Sequence, residues 1–444
     1  MPSPASSNPP PSRGTRRRFL RQLATVPAGA ALPLVIPASV WGQGATPAPS
    51  NRIALAAIGV GWMGTSNLES FLAEPDCQVV AVCDVDHFHA EAARELVNRH
   101  YGNRSCAVFY DFRQLLALPG LDAVSLALPD HWHAIPAIQA ARAGLDIYGE
   151  KPLAHSIAEG RAICEAVRRY ARIWQTGSWQ RSVEHFRRAA EIVLNGRLGK
   201  VQRIEVGLPA GHTDFAGTAG QERTGPPPPQ LDYEFWLGPA PSAPYCPARV
   251  HKNWRWNLDY GGGQLLDWVG HHLDIAHWGM GWDAGGPLTV EGTGEFPDAG
   301  IWNSPTRYRI TCQYPDNVTV VLAGGHDDIR GGVKWIGDGS WLWCDRSGIE
   351  SHPQTLLHEP VGSREINLPR SPGHHRNFLD AVKSRRPALC PAETAHHSAI
   401  PGHLGQIAMR LGRKLYWDAA AERILGDPTA ERFLGAPMRS PWRL

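Results

Sequence analysis

The sequence predicts an α/β chain: an N-terminal Rossmann domain with a parallel sheet, followed by an α+β domain built on an open, mostly antiparallel sheet. Two patterns carry this. From Ile53 to Tyr148 continuous apolar runs alternate with helical runs, as strands buried on both faces of a parallel sheet should. From Leu288 to Cys344 the runs are short, β-rich and separated by Pro, Gly and Asp turns, the pattern of antiparallel strands.

The stretch Ile53–Asp84 organises the first domain. An apolar strand runs into Gly59-Val60-Gly61-Trp62-Met63-Gly64, a helical run follows through Asn67–Leu72, and QVVAVCDVD forms a second strand ending on Asp84. Gly59 can make the tight turn, Gly61 can admit a pyrophosphate to the backbone, and Gly64 can let the helix pack on the sheet. Trp62 and Met63 sit at the helix N-terminus, where phosphates bind. Asp84 can accept from a ribose 2′-OH and would repel a 2′-phosphate, which favours NAD over NADP.

The chain continues with helices over Glu91–Tyr101 and Tyr110–Leu116, then the strand Ala123–Leu128. That strand ends on Pro129-Asp130-His131-Trp132-His133, which opens the helix Ile135–Ala143. Asp146–Tyr148 is the next strand, and Gly149-Glu150-Lys151-Pro152 is its exit. Both exits lie at strand carboxyl ends, where ligands sit in open α/β sheets.

Past the helix Ile157–Ala171, Trp174–Arg181 enters the second domain, with a helix over Glu184–Leu194 and a strand over Val201–Leu208. Pro209–His251 is a long Gly/Pro-rich excursion whose aromatics, Tyr233, Phe235, Trp236 and Tyr245, suit packing beside a site. Gly261-Gly262-Gly263 then leads into a helix on which Asp267, His271 and Asp274 stand at i, i+4 and i+7 on one face. A carboxylate one turn from an imidazole can fix its tautomer and support it as a base. His272 is rotated off that face and is expected to bond locally. Helices are expected over Asn377–Ser384 and Glu393–Leu411, followed by a polar, arginine-containing tail.

Residues 1–45 are read as a leader: Thr15-Arg16-Arg17-Arg18-Phe19-Leu20-Arg21 resembles a twin-arginine export signal, and an apolar run from Leu23 to Val40 follows it. Pro27, Pro33 and Pro37 interrupt the run too often for a membrane span. This predicts passage through the twin-arginine translocase and a periplasmic location. Because that route carries folded proteins to a compartment without a ready NAD pool, the cofactor is expected to be tightly bound. The nucleotide domain is assigned to residues 51–174 and the substrate and oligomerisation domain to 175–444.

The Rossmann start, the Pro129–His133 turn and Glu150-Lys151-Pro152 together resemble the Gfo/Idh/MocA oxidoreductases, from Asn51 to the C-terminus. The resemblance implies an open C-terminal sheet, with a homo-oligomer through it. It places Gly59, Gly61, Trp62, Met63, Gly64, Asp84, Pro129, Asp130, His133, Glu150 and Lys151 at the cofactor. It also implies that Lys151 reaches both the nicotinamide ribose and the substrate hydroxyl, and that the catalytic Asp267 is followed, four residues later, by His271, which handles the hydroxyl proton. Trp179, Arg181, Trp254 and Arg255, with Asp267 and His271, are assigned to substrate.

A net charge of +2 with 19% charged residues leaves no basic footprint for nucleic acid. Eight scattered cysteines give no disulfide or zinc spacing and are expected to be buried thiols. His271, Asp274, His277, His251 and His131 could supply metal ligands, but no tight cluster is visible and no metal is expected. The leading reading is NAD-dependent hydride transfer with a sugar or polyol hydroxyl, with several of the seventeen tryptophans suited to a sugar face. The alternatives are an NAD-dependent glycosidase or lyase working by transient oxidation and elimination, and a non-catalytic nucleotide- or sugar-binding protein.

Overall fold

The computed structural model describes residue 48 and residues 51–444, so the leader lies outside the described residues. The described chain from Arg52 onward is one compact unit holding two sheets.

Six strands form the first sheet: β1 (Ile53–Ile58), β2 (Cys77–Cys83), β3 (Ala107–Phe109), β4 (Ala123–Leu126), β5 (Asp146–Gly149) and β6 (Trp174–Thr176). All pairings are parallel, in the order β3-β2-β1-β4-β5-β6. The strand order reverses between β1 and β4, so the exits of those two strands frame the crevice where such sheets bind ligands. Helices α1 (Trp62–Leu72), α2 (His87–Tyr101), α3 (Phe112–Leu116), α4 (Ala134–Arg142) and α5 (Ile157–Arg169) make the crossovers. Asp86 caps α2 by accepting from the Phe88 amide at 2.9 Å.

The second sheet has nine strands: β7 (Arg203–Leu208), β8 (Thr289–Glu295), β9 (Arg307–Gln313), β10 (Thr319–Gly324), β11 (Gly332–Ile336), β12 (Trp341–Asp345), β13 (Gly348–His352), β14 (Leu415–Asp418) and β15 (Arg423–Ile424). Their order is β13-β12-β11-β7-β10-β9-β8-β14-β15, antiparallel except for β7 with β10. Helix α6 (Glu184–Leu194) packs on one face, burying Phe186, Ala190 and Ile192 against Ile204, Val206 and Trp335. The tail expected to be merely polar is folded instead. It supplies β14 and β15, and its Trp442 lies 4.8 Å from the Trp132 ring and 5.6 Å from Phe235. All eight cysteines are buried and free.

The excursion from 209 to 262 contains α7 (Tyr233–Leu237) and folds back on the nucleotide domain. The Trp236 carbonyl accepts from Trp132 Nε1 at 2.8 Å, and Phe215 lies 5.2 Å from the Trp62 ring.

After the glycine run, the chain forms α8 (Gly263–Trp268), a π-helical turn over Val269–Leu273, and α9 (Asp274–Met280). This overturns the shared face expected for Asp267, His271 and Asp274. A π turn is wider than an α turn, so α9 is rotated about the helix axis relative to α8. Asp267 faces Lys151, whereas Asp274 is fully buried against Arg181.

Arg181 is likewise a correction, because it does not reach the substrate crevice. Its guanidinium is 1% exposed and donates to both Asp274 carboxylate oxygens, at 2.7 and 2.9 Å, and to Asp283 at 2.8 Å. Removing one partner of a buried pair strands the other charge, which costs about 3–5 kcal/mol. Arg181→Met is therefore expected to lower the unfolding free energy by that amount, read from denaturant titration, while the folded fraction keeps its cofactor affinity. A shift in affinity with unchanged stability would return Arg181 to the binding site.

Candidate active site

A cavity of about 490 Å³ opens at the carboxyl ends of β1, β2, β4 and β5 and extends to α8 and the π turn. Its nucleotide end is built by the glycines. Gly59 has φ +77°, and any Cβ there would collide with the Ala127 carbonyl. A Cβ on Gly64 would collide with the Gly59 carbonyl, so Gly64 packs helix on turn rather than lining the cavity. Gly61 lines the cavity, where a Cβ would lie against the His89 ring at 3.5 Å, and its absence leaves the backbone free for a phosphate.

Asp84 pins this turn. Its oxygens accept from the amides of Val60 and Asp86, both at 2.9 Å, and burial raises its pKa. Trp62 and Met63 line the same end. Lys252 Nζ and the Arg255 guanidinium lie 5.1 and 5.3 Å from the Trp62 ring centre. Asp86, His89 and His251 bring ligand-type atoms within 4.8 Å of one another there, a grouping that their spacing in sequence does not reveal.

Pro129 and Asp130 line the middle of the cavity. Burial, only partly offset by Arg255, pushes the Asp130 carboxyl up to about 8, so it is protonated at neutral pH. His133, expected at the cofactor, does not line the cavity. Its ring nitrogens lie 2.7 Å from the Pro152 carbonyl and 2.8 Å from the Leu128 carbonyl, so it braces the two strand exits against each other. Glu150 is buried, accepts from Asn67 at 2.9 Å, and fits only because residue 177 is glycine: a Cβ there would sit 2.6 Å from its carboxylate.

Lys151 and His271 meet at the far end. Lys151 Nζ donates to Asp267 Oδ1 at 2.9 Å and to the Asp267 carbonyl at 3.1 Å, and Arg255 Nε donates to the same carboxylate oxygen at 3.3 Å. Burial disfavours the Asp267 anion, but these two cations outweigh it and hold its pKa below the usual carboxylate range. The π turn brings Gly270 against Lys151, where a Cβ would lie 2.8 Å from the Lys151 Cβ.

Asp267 does not orient His271 by a hydrogen bond, contrary to the sequence expectation, because Lys151 and Arg255 take its carboxylate. His271 is 5% exposed, its Nδ1 has no partner among the described residues, and burial together with Lys151 and Arg346 keeps its pKa well down. The imidazole is neutral and free to accept a proton. His272 Nδ1 lies 2.9 Å from the Gly207 carbonyl, away from this chemistry.

Trp179 and Trp254 line the cavity as expected, with Arg255 stacked 4.4 Å from Trp254. Trp268, one of the tryptophans expected near the site, lines it too, whereas sequence reasoning missed Gly270 and Arg346. Arg346 comes from the turn between β12 and β13, and nothing local in Asp345-Arg346-Ser347-Gly348 signals that this turn faces the crevice.

With this geometry established, the comparisons with known proteins are specific. Residues 53–178 match the Gfo/Idh/MocA description "Oxidoreductase family, NAD-binding Rossmann fold", and residues 183–444 match "Oxidoreductase family, C-terminal alpha/beta domain". The chain is 30% identical over 152 residues to scyllo-inositol 2-dehydrogenase (NAD(+)) of Bacillus subtilis, covering 34% of this chain and 42% of that protein. It is 31% identical over 139 residues to a glycosyl hydrolase family 109 protein of Stenotrophomonas maltophilia, covering 30% and 28%. Both matches span less than half the relative's length. In fold it is similar to the aldose-aldose oxidoreductase of Caulobacter crescentus, with a TM-score of 0.61, 17% identity, and coverage of 82% of this chain and 99% of that one. The chain belongs to the Gfo/Idh/MocA oxidoreductases, with an NAD-binding Rossmann domain and the family's C-terminal α/β domain.

Proposed function

We propose that this protein transfers a hydride between a sugar or polyol hydroxyl and a tightly held NAD, the dinucleotide lying from the Gly59–Gly64 turn to Lys151. The observation that carries this reading is the pairing of an ammonium, Lys151, with a neutral buried imidazole, His271, at the inner end of a glycine-cradled cavity. Bound NAD supplies the hydride acceptor. The chain's own groups manage the proton. The His271 imidazole takes it from the hydroxyl, while the Lys151 ammonium stabilises the negative charge that develops on that oxygen. Asp267 holds the Lys151 side chain in place by accepting from its Nζ. The names of the inositol dehydrogenase and aldose oxidoreductase relatives support a carbohydrate substrate.

Asp84, the carboxylate just past the end of β2 and beside the glycine turn, supports NAD over NADP. The arginine-rich start of the chain supports export through the twin-arginine route, and with it a resident cofactor and a periplasmic site of action. The nine-stranded sheet supports association between copies.

A redox-neutral second reading is favoured by Asp130, a carboxyl protonated at neutral pH inside the same cavity, and by the glycosyl hydrolase relative. Oxidation of one hydroxyl to a ketone acidifies the neighbouring C–H, a solvent base takes that proton as the leaving group departs with a proton from Asp130, water adds across the double bond so formed, and return of the hydride to the ketone restores the cofactor.

Lys151→Ala and His271→Ala are each expected to cut single-turnover reduction of bound NAD by at least about 10²-fold, with cofactor binding retained, and His272→Ala to do far less. Equal losses for His271 and His272 would assign the proton elsewhere. Denaturing the purified protein is expected to release stoichiometric NAD(H), read by absorbance and mass, and Asp84→Ala to weaken NAD binding and relax discrimination against NADP. Release of no dinucleotide, with only weak rebinding of added NAD, would refute the resident cofactor.

The second reading makes a pH prediction with a definite sign. Asp130 donates only while protonated, so glycoside cleavage is expected to decline as pH rises through about 8, and Asp130→Asn to remove cleavage while sparing hydride transfer. Cleavage surviving in Asp130→Asn would eliminate that role.

A further inference from the structure

We propose that the sugar taken by this cavity carries an oxyanion, a carboxylate or a phosphate, and that Arg346 grips it; the inference rests on the sugar reading of the site. The guanidinium of Arg346 is clamped between two indoles, 4.5 Å from the Trp268 ring centre and 4.9 Å from that of Trp179. The same rings flank His271, at 5.4 and 6.4 Å between centroids. Gln180 ties the two together. With its amide in the orientation that satisfies both ends, its nitrogen donates to the His271 carbonyl at 3.0 Å and its oxygen accepts from Arg346 Nε at 3.2 Å.

The charge inventory at this end of the cavity is uneven. Lys151 and Arg255 both lean on Asp267, whereas Arg346 forms no ion pair with any acid among the described residues. Its Nε is engaged by Gln180, and its two terminal nitrogens form a planar fork with no protein partner among the described residues. That fork matches the two oxygens of a carboxylate or two of a phosphate, and Arg is suited to this where Lys is not. Stacking on two tryptophans and one Nε hydrogen bond fixes the fork before any ligand arrives, so little further ordering is required on binding. An unpaired cation set beside the reacting groups gives the site selectivity for anionic sugars.

The test uses the holoenzyme titrated calorimetrically with D-glucose, D-glucuronate and D-glucose 6-phosphate, in the wild type, Arg346→Gln and Arg346→Lys, with melting temperatures confirming intact folds. At least one anionic sugar is expected to bind about 10- to 100-fold more tightly than glucose, with the margin shrinking in high salt. Arg346→Gln is expected to collapse that ratio towards one, and Arg346→Lys to keep only part of it. The carboxylate and phosphate arms identify which oxyanion is preferred. Equal or tighter binding of glucose in the wild type, absence of binding by all three sugars, or a preference that survives in Arg346→Gln overturns the inference. Reduction of the bound cofactor, followed by its absorbance in the same samples, separates the two claims. Anionic sugars that bind through Arg346 but never reduce the cofactor would refute the oxidoreductase reading and leave this inference standing.

Discussion

The contact between Lys151 and Asp267 is the constraint on which the rest of the site depends. Lys151 comes from the exit of β5 in the nucleotide domain, and Asp267 from α8 in the other. Their side chains are 13% and 20% exposed, so the pair is partly withdrawn from water and less screened than a surface bridge. Such a pair contributes little net stability once desolvation is counted, but breaking it leaves one charge stranded. Its consequence is positional. Gly270 must stay small for the π turn to reach Lys151, and that seating brings His271 to the ammonium. The same contact that joins the two halves therefore brings the ammonium and the imidazole together.

The π turn divides the electrostatic labour in a way a regular helix would not. A regular α8–α9 helix would set Asp267 and His271 on one face, where the carboxylate would orient the imidazole and raise its proton affinity. Here the carboxylate is committed to Lys151 and Arg255, and the imidazole is held by aromatic packing against Trp268 and Trp179. Burial and two nearby cations keep it neutral. One residue supplies charge and the other supplies a vacant lone pair.

Much of this was legible in the sequence, for identifiable reasons. Gly59 and Gly64 of the first turn are dictated by backbone collisions at the turn itself and at the neighbouring strand exit, so local pattern suffices to find them. The β–α alternation follows from burial of strands on both faces, and each strand exit is a local event that exposes Asp84, Asp130 and Lys151 as candidates. What failed depended on contacts made far along the chain. Arg181 looked like a site residue by proximity in sequence, but it is consumed by Asp274, 93 residues away. His133 looked like part of the cofactor turn, but it braces two strand exits from behind. The π turn has no local composition that marks it, and an i, i+4 rule therefore placed Asp267 wrongly against His271. Arg346 sits on an ordinary hairpin turn, and only the stacking of the sheet against the crevice gives it a partner.

The long excursion after β7 accounts for the least expected property of the cavity, the neutral carboxyl of Asp130. On an open Rossmann sheet the Pro129–His133 turn would face water and Asp130 would ionise like any aspartate. Instead α7 lies over it. The Trp236 carbonyl accepts from Trp132, Phe235 lies 5.5 Å from the Trp132 ring, and the C-terminal Trp442 closes the other side. Fixing the turn by these contacts takes Asp130 out of solvent, and its proton affinity rises because burial disfavours the anion more than Arg255 favours it. Two segments with no catalytic side chain of their own, the excursion and the tail, thus set the protonation state of a group inside the cavity.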